Sequence, residues 1–164
     1  MTKAGPAAGW PIVLAPLQWP AFNRSLEPME PGGELHHLAV AVRSLSQALP
    51  FWRDALGLPL LGIEDVPSEK VRVAMLGAGS SRIELLEPSA PDSPISAFLE
   101  KRGPGLHHVA LSVRDVRAAS DAVAAKGCPL IGAAARPGAH HTLVSFLHPK
   151  GTGGVLVELV QEHG

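Results

Sequence analysis

Leu35-His36-His37-Leu38-Ala39-Val40-Ala41-Val42-Arg43 is answered 71 positions later by Leu106-His107-His108-Val109-Ala110-Leu111-Ser112-Val113-Arg114. Both stretches alternate as a strand does, and each is followed by a segment patterned as a helix. An internal repeat of this length sets the architecture before any single residue does. About fifty positions after each histidine pair comes an acidic residue in a second strand-like stretch. These are Glu84 in Ile83-Glu84-Leu85-Leu86-Glu87 and Glu158 in Val157-Glu158-Leu159-Val160.

Outward from the repeat, both halves read strand, helix, strand, strand, strand. In the first, strand 35–42 leads through Ser44 or Ser46 as helix cap to a helix ending near Gly57, and strands follow at 58–66, 71–76 and 82–87. In the second, strand 106–113 precedes a helix over 116–126, capped by Asp115 and stopped by Gly127, with strands near 130–132, 142–147 and 155–161. A linking helix is expected over 91–102, capped by Asp92 or Ser93 with Pro94 in its first turn. The division is a proline-rich extension over 1–33 and one domain over 34–162, made of module one (34–90), the link (91–102) and module two (105–162). The fold class is α+β, with two tandem βαβββ modules forming a curved mixed sheet.

Side chains alternate faces along a strand. His37 shares its face with Ala39 and Ala41, and His108 with Ala110 and Ser112. The bulky faces, carrying His36 with Leu38, Val40 and Val42, and His107 with Val109, Leu111 and Val113, belong under the helices. Ile83 and Leu85 oppose Glu84; Val155, Val157 and Leu159 oppose Glu158. Four polar groups thus converge on the small-residue faces of two equivalent curved sheets. A single strand histidine is usually a hydrogen-bonded core residue, and a single strand glutamate is usually solvated. Their coincidence in both halves favours a metal centre of His37, Glu84, His108 and Glu158. Two imidazoles and two carboxylates leave two positions for water or substrate and suit Mn²⁺, Fe²⁺, Co²⁺, Ni²⁺ or Zn²⁺. A dication also compensates two buried carboxylates. His36 and His107 are the alternative ligand pair, and strand alternation argues against them.

Fourteen basic residues balance fifteen acidic ones, a net charge of −1, so neither a nucleic-acid nor a membrane partner is expected. No apolar run approaches the roughly 20 residues of a membrane span. The single cysteine, Cys128, suits a reducing cytoplasm and reads as a packing residue. Pro6, Pro11, Pro16, Pro20, Pro28 and Pro31 prevent regular structure in the extension, where Trp10, Trp19 and Phe22 are candidate anchors onto the body. Trp10–Leu17 resembles a signal-peptide core, but Pro11 and Pro16 interrupt it.

At these residues the chain resembles the vicinal-oxygen-chelate superfamily, the glyoxalase-like proteins of paired βαβββ modules, and within it the methylmalonyl-CoA epimerase family. The likeness spans about Glu34 to Glu162. Its specific motifs are Ile83-Glu84-Leu85-Leu86-Glu87-Pro88, Asp92-Ser93-Pro94-Ile95 with Phe98-Leu99-Glu100-Lys101, Gly105-Leu106-His107-His108, and Phe146-Leu147-His148-Pro149-Lys150 before Gly153-Gly154-Val155-Leu156-Val157-Glu158-Leu159. The resemblance implies the same metal ligands, His37, Glu84, His108 and Glu158, and a small-molecule acyl-CoA substrate. It implies interconversion of the 2R and 2S epimers of methylmalonyl-CoA by removing and returning the α-proton through a metal-chelated enediolate. Glu158 is the expected proton-transfer carboxylate. Glu84, its pseudo-twofold mate, is the geometric candidate for the opposite face, with Glu69 and His141 as weaker ones. Family members more often carry glycine near His140 and His141. Lys70, Arg72 and Lys150 are candidates for CoA phosphates, and His148 reads as structural.

The rivals are a glyoxalase I-type lactoylglutathione lyase, a ring-cleaving dioxygenase and a metal-free ligand-binding (resistance-type) protein of the same fold. The dioxygenase needs only two histidines and one carboxylate. Retention of all four donors argues against the binding protein. A homodimer fits the superfamily, while two modules on one chain allow a monomer to build its own site.

Overall fold

The two histidine-bearing strands lie side by side at the centre of one eight-stranded sheet in the computed structural model, which describes residues 33–162. The proline-rich segment, with Trp10, Trp19 and Phe22, lies outside the described residues. Module one runs β1 (Leu35–Ala41), α1 (Leu45–Leu49), β2 (Leu60–Val66), β3 (Val71–Ala78) and β4 (Ser81–Pro88). Then α2 (Pro94–Arg102) leads to β5 (Gly105–Ser112), α3 (Val116–Ala125), β6 (Leu130–Pro137), β7 (Leu143–Leu147) and β8 (Val157–Gln161). The strand order is β2-β3-β4-β1-β5-β8-β7-β6. Within each module the first and last strands pair in parallel, β1 with β4 and β5 with β8, while β1 and β5 join the modules antiparallel. A parallel pair needs a crossover, and the module's helix begins it.

The convex face carries α1 over Val42, Leu45, Leu49, Ala74, Leu76 and Leu85, and α3 over Val116, Leu147 and Leu159. The opposite face carries Ala39, Ala41, Val73 and Leu86, which α2 covers with Ile95 and Leu99. Its continuation in module two is Ala110, Val144 and Val160 beside Phe146. Burying a side chain of leucine size contributes about 1.5–3 kcal/mol, so these layers hold the sheet in its curve. The sheet's outermost strands meet across the mouth of that curve. Glu64 of β2 pairs with His140, in the β6–β7 connection, at 3.1 Å (Oε2 to Nδ1). Glu69, in the β2–β3 turn, pairs with Arg136 of β6 at 3.2 Å.

Helix ends follow their caps. Asp115 accepts from the backbone N–H groups of Arg117 and Ala118 at 2.9 and 3.0 Å. Ser93 accepts from Ile95 N–H, and Pro94 occupies the first turn of α2, which therefore begins at 94 rather than 91. The first helix departs further. After Leu49 it widens into a π turn over Pro50–Ala55, with Leu56 N–H bonded to the Phe51 carbonyl. Pro50 has no N–H to give and its ring crowds the preceding turn, so the ladder slips by one residue. Strand β6 reaches Pro137, well past the expected 132, but its ladder with β7 breaks between Ile131 and Arg136.

Candidate metal centre

Two alanines make room for the polar cluster. Ala39 of β1 is in register with both Glu84 on β4 and His108 on β5; Ala110 of β5 is in register with both Glu158 on β8 and His37 on β1. Each glutamate therefore lies one strand beyond an alanine, with the other module's histidine on that alanine's far side. A bulkier residue at either alanine, both fully buried, would fill the space into which the four side chains turn. His37, His108, Glu84 and Glu158 are only 4, 4, 5 and 6% exposed.

Their tips converge. The two Nε2 atoms lie 3.1 Å apart, and Glu158 Oε2 lies 3.2 Å from that of His37 and 3.1 Å from that of His108. Glu84 Oε2 approaches the same nitrogens at 3.3 and 3.8 Å. Donors about 2.1 Å from a shared ion, at right to tetrahedral angles, stand about 3.0–3.4 Å from one another. Glu158 Oε2 is buried and has no well-aligned hydrogen bond, so a cation shared with both imidazoles would supply the partner it lacks. The donor set and its spacing fit a divalent cation. The tightest group is His37, His108 and Glu158.

The other ring nitrogens face outward. His37 Nδ1 meets His36 Nδ1 at 2.7 Å, and His107 Nδ1 meets His108 Nδ1 at 2.9 Å. Simple alternation put His36 and His107 under the helices. Instead each is the extra residue of a β-bulge in the β1–β5 ladder, between Leu35 and His37 on one strand and between Leu106 and His108 on the other. A bulge re-aims its side chain and is common beside active sites. His36 also reaches Glu162 at 3.0 Å and Arg82 at 2.8 Å, while His107 packs edge-on against Phe98. The paired-histidine motif was visible in the sequence, but a bulge has no simple sequence signature.

Charge follows this geometry in the metal-free protein. Burial opposes charge on His37, but the adjacent Glu158 and Glu84 carboxylates outweigh it and raise its pKa to about 9. Burial likewise opposes ionisation of Glu158, and His108 and His37 overcome it, lowering its pKa to about 2. Burial, reinforced by the neighbouring His108, holds His107 at about 4. Burial also lowers His36 and raises the Cys128 thiol, which suits a packing role for that cysteine.

Two compartments flank the cluster, and both touch Glu84, Glu158 and Val144. The larger, about 270 Å³, is walled by His36, Arg82, His140 and Glu162, with Leu61 and Met75. The smaller, about 90 Å³, is mostly apolar, with Val66, Val73, Leu86, Ile95 and Phe146 beside Glu69. The 138–142 segment roofs both. Glu69 is thus in a wall but paired to Arg136, and His141 is exposed. Lys70 pairs with Asp92, Arg72 pairs with Asp65 at 3.5 Å, and Lys150 is exposed. His148 accepts from Lys150 N–H and caps a short turn. Arg82 and Glu162 were not singled out from sequence, and His140 was noted only as a departure from the family's glycine, because only the curve of the sheet brings them to the compartment.

Residues 36–146 match the model of the Glyoxalase/Bleomycin resistance protein/Dioxygenase superfamily. The chain belongs to this superfamily. It is 42% identical to the mitochondrial methylmalonyl-CoA epimerase of Mus musculus, over 79% of this chain and 73% of the relative. It is 40% identical to the ethylmalonyl-CoA/methylmalonyl-CoA epimerase of Cereibacter sphaeroides, over 79% of this chain and 98% of the relative. A methylmalonyl-CoA epimerase solved in complex with methylmalonyl-CoA and NH4+ superposes with a TM-score of 0.77 at 33% identity, covering 80% of this chain and 96% of that one. The expected fold class and the resemblance to the epimerases are both borne out. Among the described residues no helix is long and apolar enough to cross a membrane.

Proposed function

We propose that this protein is a divalent-metal-dependent epimerase that interconverts the 2R and 2S forms of methylmalonyl-CoA. The observation that carries the reading is the convergence of His37, His108, Glu84 and Glu158 at ligand-to-ligand spacing, in a chain similar to methylmalonyl-CoA epimerases along nearly all of its described length. When bound there, the cation supplies Lewis-acid polarisation of the substrate's carboxylate and thioester oxygens. His37 and His108 hold it through Nε2, their rings steadied by His36 and His107. Glu84 serves as a ligand. Glu158, whose Oε2 has no well-aligned hydrogen bond, is the base that exchanges the α-proton on the floor side of the site. The small apolar compartment offers the α-methyl group a place free of water.

The lone Cys128 supports a reducing, cytoplasmic setting. All four donors come from one chain, so a homodimer would add none of them to the site. The test is NMR of Co²⁺-loaded protein with methylmalonyl-CoA in D2O. We expect rapid loss of the α-proton signal with inversion, abolished in folded His37→Ala and Glu158→Ala variants. A metal-loaded protein without exchange overturns the reading, and the methylglyoxal–glutathione adduct becomes the next substrate to try.

A further inference from the structure

The two compartments beside the cluster differ in kind. The larger has charged walls at Arg82, His140 and Glu162. The smaller, about 90 Å³, is bounded by Val66, Val73, Leu86, Ile95 and Phe146, which come from β2, β3, β4, α2 and β7. Its boundary is firm. Val73 and Ile95 are 1 and 3% exposed and belong to one packed cluster with Val66 and Leu86. On the remaining wall Glu69 is held by Arg136 at 3.2 Å, and that guanidinium lies over the Phe146 ring at 4.9 Å. A close-packed wall of this kind yields little to a ligand that is too large.

Such a space selects among parts of a substrate. An amide-bearing thioester arm is far larger than 90 Å³ and would lose hydrogen bonds to water against these side chains. An alkyl branch at the α-carbon fits, because the space also touches Glu158, the base proposed to act on that carbon. When the α-proton leaves, the α-carbon becomes planar and its alkyl group lies in that plane, so one pocket serves both epimers. A methyl or methylene group is about the size of a water molecule, roughly 30 Å³, so the space corresponds to about three carbons.

We propose that the smaller compartment is the specificity pocket for the α-alkyl group, that it admits about three carbons, and that Val73 and Ile95 set this limit. The inference rests on the epimerase reading above and names its substrate class: thioesters of 2-alkylmalonates from methyl to n-propyl. Each methylene buried strengthens binding about fourfold until the space is full. The next one meets the packed wall and lowers kcat/KM about 10- to 200-fold.

The test uses the full Co²⁺-loaded protein with the methyl-, ethyl-, n-propyl- and n-butylmalonyl thioesters of CoA in D2O. Exchange is followed by NMR and inversion by chiral chromatography, and each protein is compared across the series with itself. In the wild type, KM should fall about fourfold from methyl to ethyl, with the drop in kcat/KM coming between propyl and butyl. Val73→Ile adds one carbon to the wall and should move the drop to between ethyl and propyl. Ile95→Val removes one carbon and should bring butyl within range. A role in stability alone would not move the cut-off in opposite directions. A cut-off that stays at the same length in either folded variant overturns the inference and leaves the epimerase reading standing. So does a wild type that accepts only the methyl compound, or one that takes butyl as readily as methyl. A metal-loaded wild type that neither exchanges nor inverts methylmalonyl-CoA overturns both.

Discussion

Loading the cluster with a divalent cation competes with a proton on His37. In the metal-free protein the Glu158 and Glu84 carboxylates overcome the effect of burial and hold this imidazole at about 9, against an ordinary 6.5. A cation at Nε2 must displace that proton. Apparent affinity should therefore fall by up to tenfold for each pH unit below 9, at most about 100-fold and about 3 kcal/mol between pH 9 and pH 7. The same shift acts on folding with a definite sign. The folded pKa is raised, so the stabilisation is fully present below pH 6.5 and is lost as pH rises to about 9, amounting to about 3 kcal/mol. Metal-loaded protein should lack this slope, since its Nε2 carries no proton. The assay is a Co²⁺ titration by visible absorption between pH 6 and 9.5, paired with urea melts of the free protein. An affinity already at its plateau by pH 7, or a urea midpoint that does not fall between pH 6.5 and 9, refutes the reasoning.

Replacing His107 with Phe preserves ring packing on Phe98 but removes the Nδ1 partner of His108, and should weaken metal binding about 10- to 100-fold in chelator competition with the fold intact. Asp115→Ala removes the acceptor of two backbone N–H groups, and should cost about 1 kcal/mol in urea melts without changing turnover. Gly151→Ala would set a methyl group 2.4 Å from Cys128 Sγ and 3.0 Å from its Cα. Overpacking of this kind should cost about 1–3 kcal/mol, and Cys128→Ala should restore only part of it because the backbone contact remains.

The repeat carried a great deal because strand alternation is a local rule. Once Ala39 and Ala110 sit on the small-residue face, His37, His108, Glu84 and Glu158 follow by counting in twos, and the structure brings their side chains together. Caps at Ser93 and Asp115 were legible because capping involves neighbours in sequence. Where counting in twos fails, a nonlocal cause is at work. The bulges that turn His36 and His107 toward their neighbours arise from two strands meeting with one residue too many. His140 reaches the cluster only through the closure of a sheet whose edges are far apart in sequence. Pro50 was the exception, a local signal for the π turn that the helical pattern around it obscured.

The antiparallel seam between β1 and β5 is the central axis of the sheet, and the four converging side chains sit beside it. The contacts farthest from that axis are Glu64 with His140 and Glu69 with Arg136, partly exposed pairs of the kind worth about 0–1 kcal/mol each. A small rocking of one module against the other would move the rim by several times the displacement felt at the axis. Latches this weak release thermally and loosen further in salt. On the proposed reading, a bulky substrate could then be admitted and discharged at the rim while the four donors scarcely move, so gating the site need not disturb a cation held there.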